Sequence, residues 1–243
     1  MNSEIEDYGS IQFKVLEIFS SISGEAQHAG ELTTFVRLSG CNLCCAYCDT
    51  WKMLQENNFK LMTINDIVEE CHKNGHKHIV LTGGEPLIKR DASKLIAELM
   101  LEGFEVEVET NGSVDVRKIV EELDAMELPY DLGNNYMFTI DWKTGASKMT
   151  DRMNKDMFDN LSDLSGQDTI KFVVAEDDIV PTMELIKKFQ EQGTLCKYYI
   201  SPVFGQVDMT HIIEAMKEYK MNEDVRYQLQ IHKYVWDPNK SGV

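Results

Sequence analysis

The chain has 243 residues, of which 43% are hydrophobic, and its formal net charge at pH 7 is −17. This length and apolar content suit one large α/β domain, and no apolar run approaches the roughly 20 residues needed to cross a bilayer. The negative charge argues against a nucleic-acid or membrane surface, since both need clustered cations, although a few local cations can still bind a small anion. The acidic first residues lack the apolar segment of a signal peptide, which predicts a cytoplasmic protein.

Short apolar and β-branched runs alternate along the chain with longer amphipathic stretches. They predict strands at residues 13–19, 33–38, 78–82, 104–109, 136–141, 169–174, 197–201 and 227–232. They predict helices at residues 63–74, 92–102, 115–125, 155–164, 181–192 and 209–220. This alternation predicts an α/β fold with a mainly parallel sheet and right-handed crossovers, formed as a single domain over residues 1–243.

Polar and glycine-rich segments come directly after several of the predicted strands. These segments are residues 41–50, 82–86, 109–112, 141–143 and 201–202. Because the carboxyl ends of parallel strands meet at one edge of a sheet, the five segments are expected to lie together there and to form the functional site.

The cysteine segment is the most specific of them. Cys41, Cys45 and Cys48 have the spacing C-x3-C-x2-C, which supplies three thiolates to a 4Fe–4S cluster and leaves the fourth iron open. The alternative is a zinc site in which Cys44 joins these three as two C-x2-C pairs. Structural zinc sites usually separate such pairs by a dozen or more residues, so the iron–sulfur interpretation is favoured and Cys44 is predicted to be a non-ligand.

Three charged residues allow both a structural and a functional interpretation. Asp141 and Lys143 are two apart on a predicted strand and project to one side, either as an exposed ion pair or with Lys143 as a contact for a ligand carboxylate. Arg37 lies in an otherwise apolar strand, where it either pairs with Glu25 in the core or binds a planar carboxylate of a ligand.

The cysteine spacing, Tyr47 before Cys48 and the segment Gly83-Gly84-Glu85-Pro86 resemble the radical S-adenosylmethionine superfamily. Within it, the chain resembles the 7-carboxy-7-deazaguanine synthases. The matching segments follow the family order over nearly the whole chain and are residues 23–25, 35–43, 48–50, 82–86, 109–112 and 230–234.

This resemblance implies a partial (β/α) barrel that works as a homodimer with a flavodoxin- or ferredoxin-like reductant. The implied reaction is the radical ring contraction of 6-carboxy-5,6,7,8-tetrahydropterin to 7-carboxy-7-deazaguanine with release of ammonia, in queuosine biosynthesis. The reduced cluster would cleave S-adenosylmethionine, and the resulting 5′-deoxyadenosyl radical would take hydrogen from the substrate. The enzyme is thus expected to be a carbon–nitrogen lyase.

The resemblance also assigns residues to each ligand. It implies that the cluster is held by Cys41, Cys45 and Cys48, and that a magnesium ion is bound by Thr50. The residues implied for S-adenosylmethionine are Tyr47, Cys48, Asp49, Gly84, Asp141, Trp142, Lys143, Ser201, Pro202, Val203 and Phe204. Those implied for the pterin are Ile22, Ser23, Gly24, Glu25, Arg37, Thr82, His232 and Val243, with the tail, residues 234–243, closing on the site.

Three positions depart from the family pattern. Ser23 replaces a more usual glutamine, Asp141-Trp142 replaces a more usual Ser-Pro, and the tail continues through residues 236–243. The alternative enzyme is a glycyl-radical-enzyme activating enzyme, which would share the cluster but act on a partner protein. A second alternative is a non-catalytic iron–sulfur or zinc binding module.

Overall fold

The structure is a computed structural model that describes residues 8–56, 58–129, 132, 135–237, 240 and 242. Its strands are β1 (Gln12–Ile22), β2 (Leu32–Leu38), β3 (Lys60–Thr63), β4 (His78–Gly83), β5 (Glu105–Thr110), β6 (Tyr136–Trp142), β7 (Thr169–Val174), β8 (Lys197–Pro202) and β9 (Val225–Tyr227). Its α-helices are α1 (Trp51–Glu56), α2 (Ile64–Asn74), α3 (Ala92–Leu101), α4 (Val116–Ala125), α5 (Lys155–Phe158), α6 (Ile179–Gln190), α7 (Met209–Glu218) and α8 (His232–Val235).

The nine strands form one open sheet in the order β3-β1-β2-β4-β5-β6-β7-β8-β9. From β2 through β9 every neighbouring pair is parallel, whereas β1 runs antiparallel to both β2 and β3. The two ends of the sheet do not pair with each other, so the prediction of a partial barrel with mainly parallel strands is confirmed.

Local sequence explains how these elements begin and end. β7 is buried along its whole length, as expected for a parallel strand covered on both faces. Thr63 and Asp66 form the capping box that starts α2. Gly75 then ends α2 at φ 75°, a left-handed conformation that glycine adopts without steric cost.

The predicted strand at residues 227–232 is largely wrong. Only Tyr227 is in a strand, because β9 ends there and the chain then leaves the sheet toward the segment after β1. The side chain of Gln228 causes this departure by exchanging two hydrogen bonds with the backbone of Ala26, at 2.6 and 3.0 Å. His232 therefore begins the short helix α8 and does not end a strand.

The predicted helix at residues 155–164 is also too long, since α5 stops at Phe158. The side chain of Gln192 replaces the missing helical bonds: it donates to the Phe158 carbonyl oxygen at 2.9 Å and accepts from the Leu161 amide at 2.8 Å. The short elements α1 and β3 were not predicted from the sequence.

The direction of β1 determines where the functional loops lie. The cysteine loop (residues 39–50) follows the carboxyl end of β2, at the edge where the parallel strands end. Because β1 is antiparallel to β2, the loop that joins them (the β1–β2 loop, residues 23–31) lies at the opposite edge of the sheet. Among the described residues, no helix has both the length and the apolar character to cross a membrane.

Candidate functional site

A cavity of about 410 Å³ is lined both by the cysteine loop and by residues of the β1–β2 loop. It brings together residues that the sequence predicted for four different ligands: the cluster, magnesium, S-adenosylmethionine and the pterin. The predicted residues that line it are Ile22, Gly24, Glu25, Arg37, Cys41, Cys45, Tyr47, Cys48, Asp49, Thr50, Thr82, Gly84, Asp141, Lys143, Val203, Phe204 and His232.

Trp142, by contrast, does not line this cavity. Its ring packs against Phe158 with a centroid distance of 4.5 Å and against Phe189 at 5.6 Å. Side chains alternate between the two faces of a strand, so Asp141 and Lys143 face the cavity while Trp142 faces the helical layer.

Ser23, Ser201 and Pro202 are the other predicted residues outside the cavity lining. Ser23 is buried, and its hydroxyl donates to the backbone carbonyl of Glu25 at 3.2 Å, so it shapes the loop. Ser201 is fully buried and pairs in register with Val173, which lines the cavity, so its side chain faces the same side of the sheet. Val243 lies outside the described residues.

The cysteine loop presents three of its four thiols to the cavity. Cys41, Cys45 and Cys48 line it as free thiols, whereas Cys44 is exposed with its sulfur 4.0 Å from the Met149 sulfur. Burial raises the pKa of the Cys45 thiol to about 11, partly opposed by Lys143. Burial also raises the pKa of Cys41. These thiols therefore give up their protons on binding a cationic metal centre, and the donor set suits an iron–sulfur cluster with one open iron.

The two glycines at the end of β4, Gly83 and Gly84, allow close backbone contact with the cysteine loop. A Cβ atom on Gly84 would lie 2.1 Å from the Gly40 carbonyl oxygen, and one on Gly83 would lie 2.1 Å from the Leu38 carbonyl oxygen. The Gly84 amide donates to Leu38 and the Glu85 amide to Gly40, at 3.1 and 2.9 Å. Any larger side chain here would displace the loop that bears the cysteines.

Glu85 is a structural residue whose role the sequence did not reveal. Its carboxylate is fully buried and accepts from the Leu87 amide at 3.0 Å, the Thr110 hydroxyl at 2.8 Å and the Asn111 amide at 2.6 Å. Burial raises its pKa, and these hydrogen bonds oppose that rise. Glu85 thus ties the segment after β4 to the segment after β5.

Asp141 and Lys143 form a buried ion pair beside the cysteine loop, not an exposed one. The Lys143 ammonium donates to Asp141 Oδ2 at 2.6 Å. Burial alone would lower the lysine pKa, but Asp141 and Tyr47 raise it above its ordinary value. The other carboxylate oxygen, Asp141 Oδ1, and the Tyr47 hydroxyl are buried without a hydrogen-bond partner among the described residues, so both are available to a ligand.

At the other end of the cavity lies the buried carboxylate of Glu25. It accepts hydrogen bonds from the Lys171 ammonium and from the Gln230 amide, the latter at 2.5 Å. Burial would raise the pKa of Glu25, but Lys171 and His232 outweigh it and bring the pKa to about 2. The lysine pKa is raised well above normal by Glu25 and Asp141 despite burial, so the pair is ionised at neutral pH.

Lys171 was not predicted from the sequence, although a signal was present. It is the one charged residue in the run Thr169-Ile170-Lys171-Phe172-Val173-Val174, the same feature that singled out Arg37. Its ammonium also lies 3.9 Å from Asp141 Oδ2, so Lys171 sits between Glu25 and the ion pair beside the cysteines.

Arg37 does not pair with Glu25. Its Nε donates to Glu17 Oε1 at 2.8 Å, and both side chains line the cavity. Glu17 is the cross-strand neighbour of Arg37 in the antiparallel β1–β2 pair. Glu17 could have been predicted as this partner, because it is the carboxylate that lies beside Arg37 when the two predicted strands pair as a hairpin.

The carboxyl-terminal segment packs directly on the β1–β2 loop. The Ile231 amide donates to the Gly24 carbonyl oxygen at 3.1 Å, and a Cβ atom on Gly24 would lie 2.2 Å from His232 Nδ1. Burial lowers the pKa of His232, opposed by Glu25. The imidazole is therefore held against the glycine backbone beside the Glu25 carboxylate.

Comparison with known proteins is consistent with this arrangement of fold and site. The sequence model of the family described as "Radical SAM superfamily" matches residues 35–219. The structure of QueE from Escherichia coli covers 96% of this chain and 100% of its own, with a TM-score of 0.65 and 20% identity. That of Streptococcus suis SuiB bound to S-adenosylmethionine covers 78% of this chain and 48% of its own, with a TM-score of 0.56 and 14% identity. At sequence identities this low, the structural similarity supports a shared fold only.

Sequence relatives show which family of this superfamily the chain belongs to. The 7-carboxy-7-deazaguanine synthase of Clostridium acetobutylicum is 39% identical over 236 residues, which cover 96% of this chain and 100% of that protein. The enzyme of the same name from Methanospirillum hungatei is 33% identical, over 93% of this chain and 86% of its own length. The chain belongs to the 7-carboxy-7-deazaguanine synthase family of the radical S-adenosylmethionine superfamily.

Proposed function

We propose that this protein converts 6-carboxy-5,6,7,8-tetrahydropterin to 7-carboxy-7-deazaguanine with release of ammonia, as a radical S-adenosylmethionine lyase of queuosine biosynthesis. The observation that supports this best is the shared cavity, which is lined at one end by three free cysteines and at the other by Glu25 and Lys171. A buried, ionised carboxylate suits a small polar heterocycle better than the peptide loop that a glycyl-radical activating enzyme would bind.

The residues around the cysteine loop fit the two cofactors of this class. Cys41, Cys45 and Cys48 would hold the 4Fe–4S cluster, and when bound, the cluster and S-adenosylmethionine supply the radical chemistry. The unpaired Asp141 Oδ1 suits the ammonium group of the cofactor, and Lys143 suits its carboxylate. Gly84 lines the same cavity, where its backbone would contact the cofactor.

The opposite end of the cavity has the chemistry to recognise a carboxypterin. The ionised Glu25 carboxylate would accept hydrogen bonds from the N–H groups of the pyrimidine ring. Arg37 would bind the substrate carboxylate, with its geometry fixed by Glu17. Thr82 and His232 line the same space and would complete the polar contacts. Burial of these groups excludes water and strengthens each contact.

Thr50 and the tail are further parts of the proposed site. Thr50 lines the cavity with its hydroxyl 3.4 Å from the Cys48 sulfur, and a hydroxyl oxygen is an acceptable ligand for Mg²⁺ that keeps several waters. Lys240 and Gly242 also line the cavity, which supports closure of the tail over the site within a single domain.

We further infer a homodimer in the cytoplasm that receives electrons from a flavodoxin- or ferredoxin-like protein. The six cysteines are all free, as expected in a reducing compartment. The net charge of −17 and the small polar cavity support a small-molecule substrate, with no nucleic acid or membrane involved.

The test is turnover by anaerobically reconstituted protein with S-adenosylmethionine, dithionite, Mg²⁺ and the carboxypterin. We expect 7-carboxy-7-deazaguanine by mass spectrometry, and its loss in Glu25→Gln with the iron content unchanged. Formation of 5′-deoxyadenosine without the ring-contracted product would reject this substrate while leaving the superfamily chemistry intact.

A further inference from the structure

A second cluster of ligand atoms lies at the edge of the sheet away from the cysteine loop. His28 and Glu31 are in the β1–β2 loop, and His78 is the first residue of β4. One ligand atom from each residue lies within 4.8 Å of the others. β4 ends at Gly83 beside the cysteine loop, so at about 3.3 Å per residue this cluster is some 16 Å from that loop.

The His78 imidazole is the feature that calls for a ligand. It is only 5% exposed, and neither ring nitrogen makes a hydrogen bond to any of the described residues, although Glu107 Oε2 lies 3.3 Å from Nε2. Burying the imidazole is costly unless both nitrogens are satisfied, and Nδ1 has no hydrogen-bond partner among the described residues. Its ring instead faces the His28 ring, with a centroid distance of 4.1 Å.

From these observations, we propose that His28, Glu31 and His78 form a binding site for a divalent transition metal ion of the zinc type. Two imidazoles and one carboxylate are a common ligand set for such ions, with water in the remaining position. Two ligands on a tetrahedral ion at about 2.0–2.1 Å lie about 3.3 Å apart. His28 Nδ1 and Glu31 Oε2 are 3.1 Å apart and share a hydrogen bond that the ion would replace.

The surroundings of the cluster supply the secondary contacts that such a site needs. Glu107 is buried behind His78 and places Oε2 3.3 Å from Nε2. A carboxylate beside one ring nitrogen is the usual partner of a metal-ligating histidine and sets the orientation of its ring, so in the proposed site Nδ1 of His78 would bind the ion. Thr139 in turn donates to Glu107 Oε1 at 2.6 Å, which fixes that carboxylate.

The backbone of the β1–β2 loop already holds two of the ligands in place. The Glu31 amide donates to the His28 carbonyl oxygen at 3.0 Å, and the Ser23 amide donates to the Glu31 carbonyl oxygen at 2.8 Å. Gly30, at φ 94°, permits the turn between the two ligands. A bound ion would join this loop to β4 and so brace the segment that also contains Glu25.

The test is zinc retention by the full chain with its iron–sulfur cluster loaded, so that the cluster cysteines are occupied. The protein is dialysed anaerobically against Zn²⁺ with excess Mg²⁺, and zinc and iron are measured by elemental analysis. We expect one zinc per chain in the wild type, and an affinity at least about tenfold weaker in His28→Ala and Glu31→Gln. Both substitutions leave the backbone bonds of the loop in place, so the variants should fold.

His72→Ala is the matched control, because His72 is an exposed histidine 3.0 Å from a glutamate, Glu102, outside the cluster. It should retain zinc like the wild type. Zinc should also raise the Tm of the wild type and of this control but not of His28→Ala. The proposal would be overturned if the wild type, His28→Ala, Glu31→Gln and His72→Ala all retained zinc equally, or if the wild type retained none.

Discussion

Gly24 and His232 are in such close contact that a single added methyl group would lie 2.2 Å from Nδ1 of the imidazole. The contact joins the loop after β1 to the last helix across 208 residues of sequence, and it holds the histidine beside the cavity. A glycine is therefore needed at this position for a packing reason, independently of any contact to substrate.

Gly24→Ala should displace the His232 imidazole and impair use of the carboxypterin. Overpacking of this kind costs about 1–3 kcal/mol in folding stability. Separately, loss of an oriented polar contact from His232 should lower kcat/KM about tenfold. Steady-state kinetics together with iron analysis would check this, since the cluster should be unaffected. In Gly166→Ala, where the new Cβ atom would have ordinary contacts, kcat/KM should not change; equal values for the two variants would contradict the packing argument.

Lys171→Met should strongly destabilise the protein because it leaves the Glu25 carboxylate buried without its cation. Breaking one partner of a buried pair costs about 3–5 kcal/mol in the free energy of unfolding. Urea denaturation would measure this. The double variant Lys171→Met/Glu25→Gln removes both charges and should recover much of the loss, and a double variant no more stable than the single one would argue against the pair.

The Glu25 carboxyl should also contribute to acid sensitivity. Its pKa falls from 4.5 to about 2 in the folded protein, so its contribution to stability is present above pH 4.5 and is lost as the pH falls toward 2. A shift of this size corresponds to about 3 kcal/mol. The free energy of unfolding, measured by denaturation between pH 6 and 3, should therefore fall more steeply with decreasing pH in the wild type than in Glu25→Gln. The same pH dependence in both proteins would argue against the pKa shift.

The four clustered cysteines should separate into two classes. Changing Cys41, Cys45 or Cys48 to alanine should abolish iron and acid-labile sulfide incorporation and cofactor cleavage, because each removes one of three ligands. Cys44→Ala should spare both, since its thiol is exposed and outside the cavity lining. Iron and sulfide analysis with visible spectra would measure this, and equal loss in all four variants would mean that the ligands are wrongly assigned.

Thr50→Ala should weaken the magnesium dependence of turnover without removing the cluster. The hydroxyl lines the cavity next to Cys48, and alanine takes away the oxygen that a hard cation would use. Titrating Mg²⁺ against product formation would show the change as a higher half-saturating concentration. An unaltered magnesium response would speak against this residue as a ligand.

Much of this site could be predicted from sequence because its residues follow strands. The cysteine spacing, the glycines at the end of β4 and the pair Asp141 and Lys143 are local patterns, and parallel strands bring their carboxyl ends to one edge. Lys171 could have been found by the argument that singled out Arg37, since both interrupt apolar strands.

The remaining differences between the sequence predictions and the structure depend on contacts between distant segments. The strand predicted at residues 227–232 ends early because Gln228 binds the backbone of Ala26, and no local pattern reports a partner 202 residues away. Trp142 faces away from the cavity because of the strand alternation that also places Asp141 within it. The pairing of Arg37 with Glu17 follows from the antiparallel register of β1 and β2.

The antiparallel course of β1 has an evolutionary consequence. It lets two loops from opposite edges of the sheet reach one cavity, with Glu25 contributed by the first hairpin and the cysteines by the loop after β2. Mutation within residues 23–31 would then alter the contacts around Glu25 while the cysteine loop keeps its sequence. Exchange of residues 23–31 between relatives would therefore change the surroundings of Glu25 without touching the ligands of the cluster.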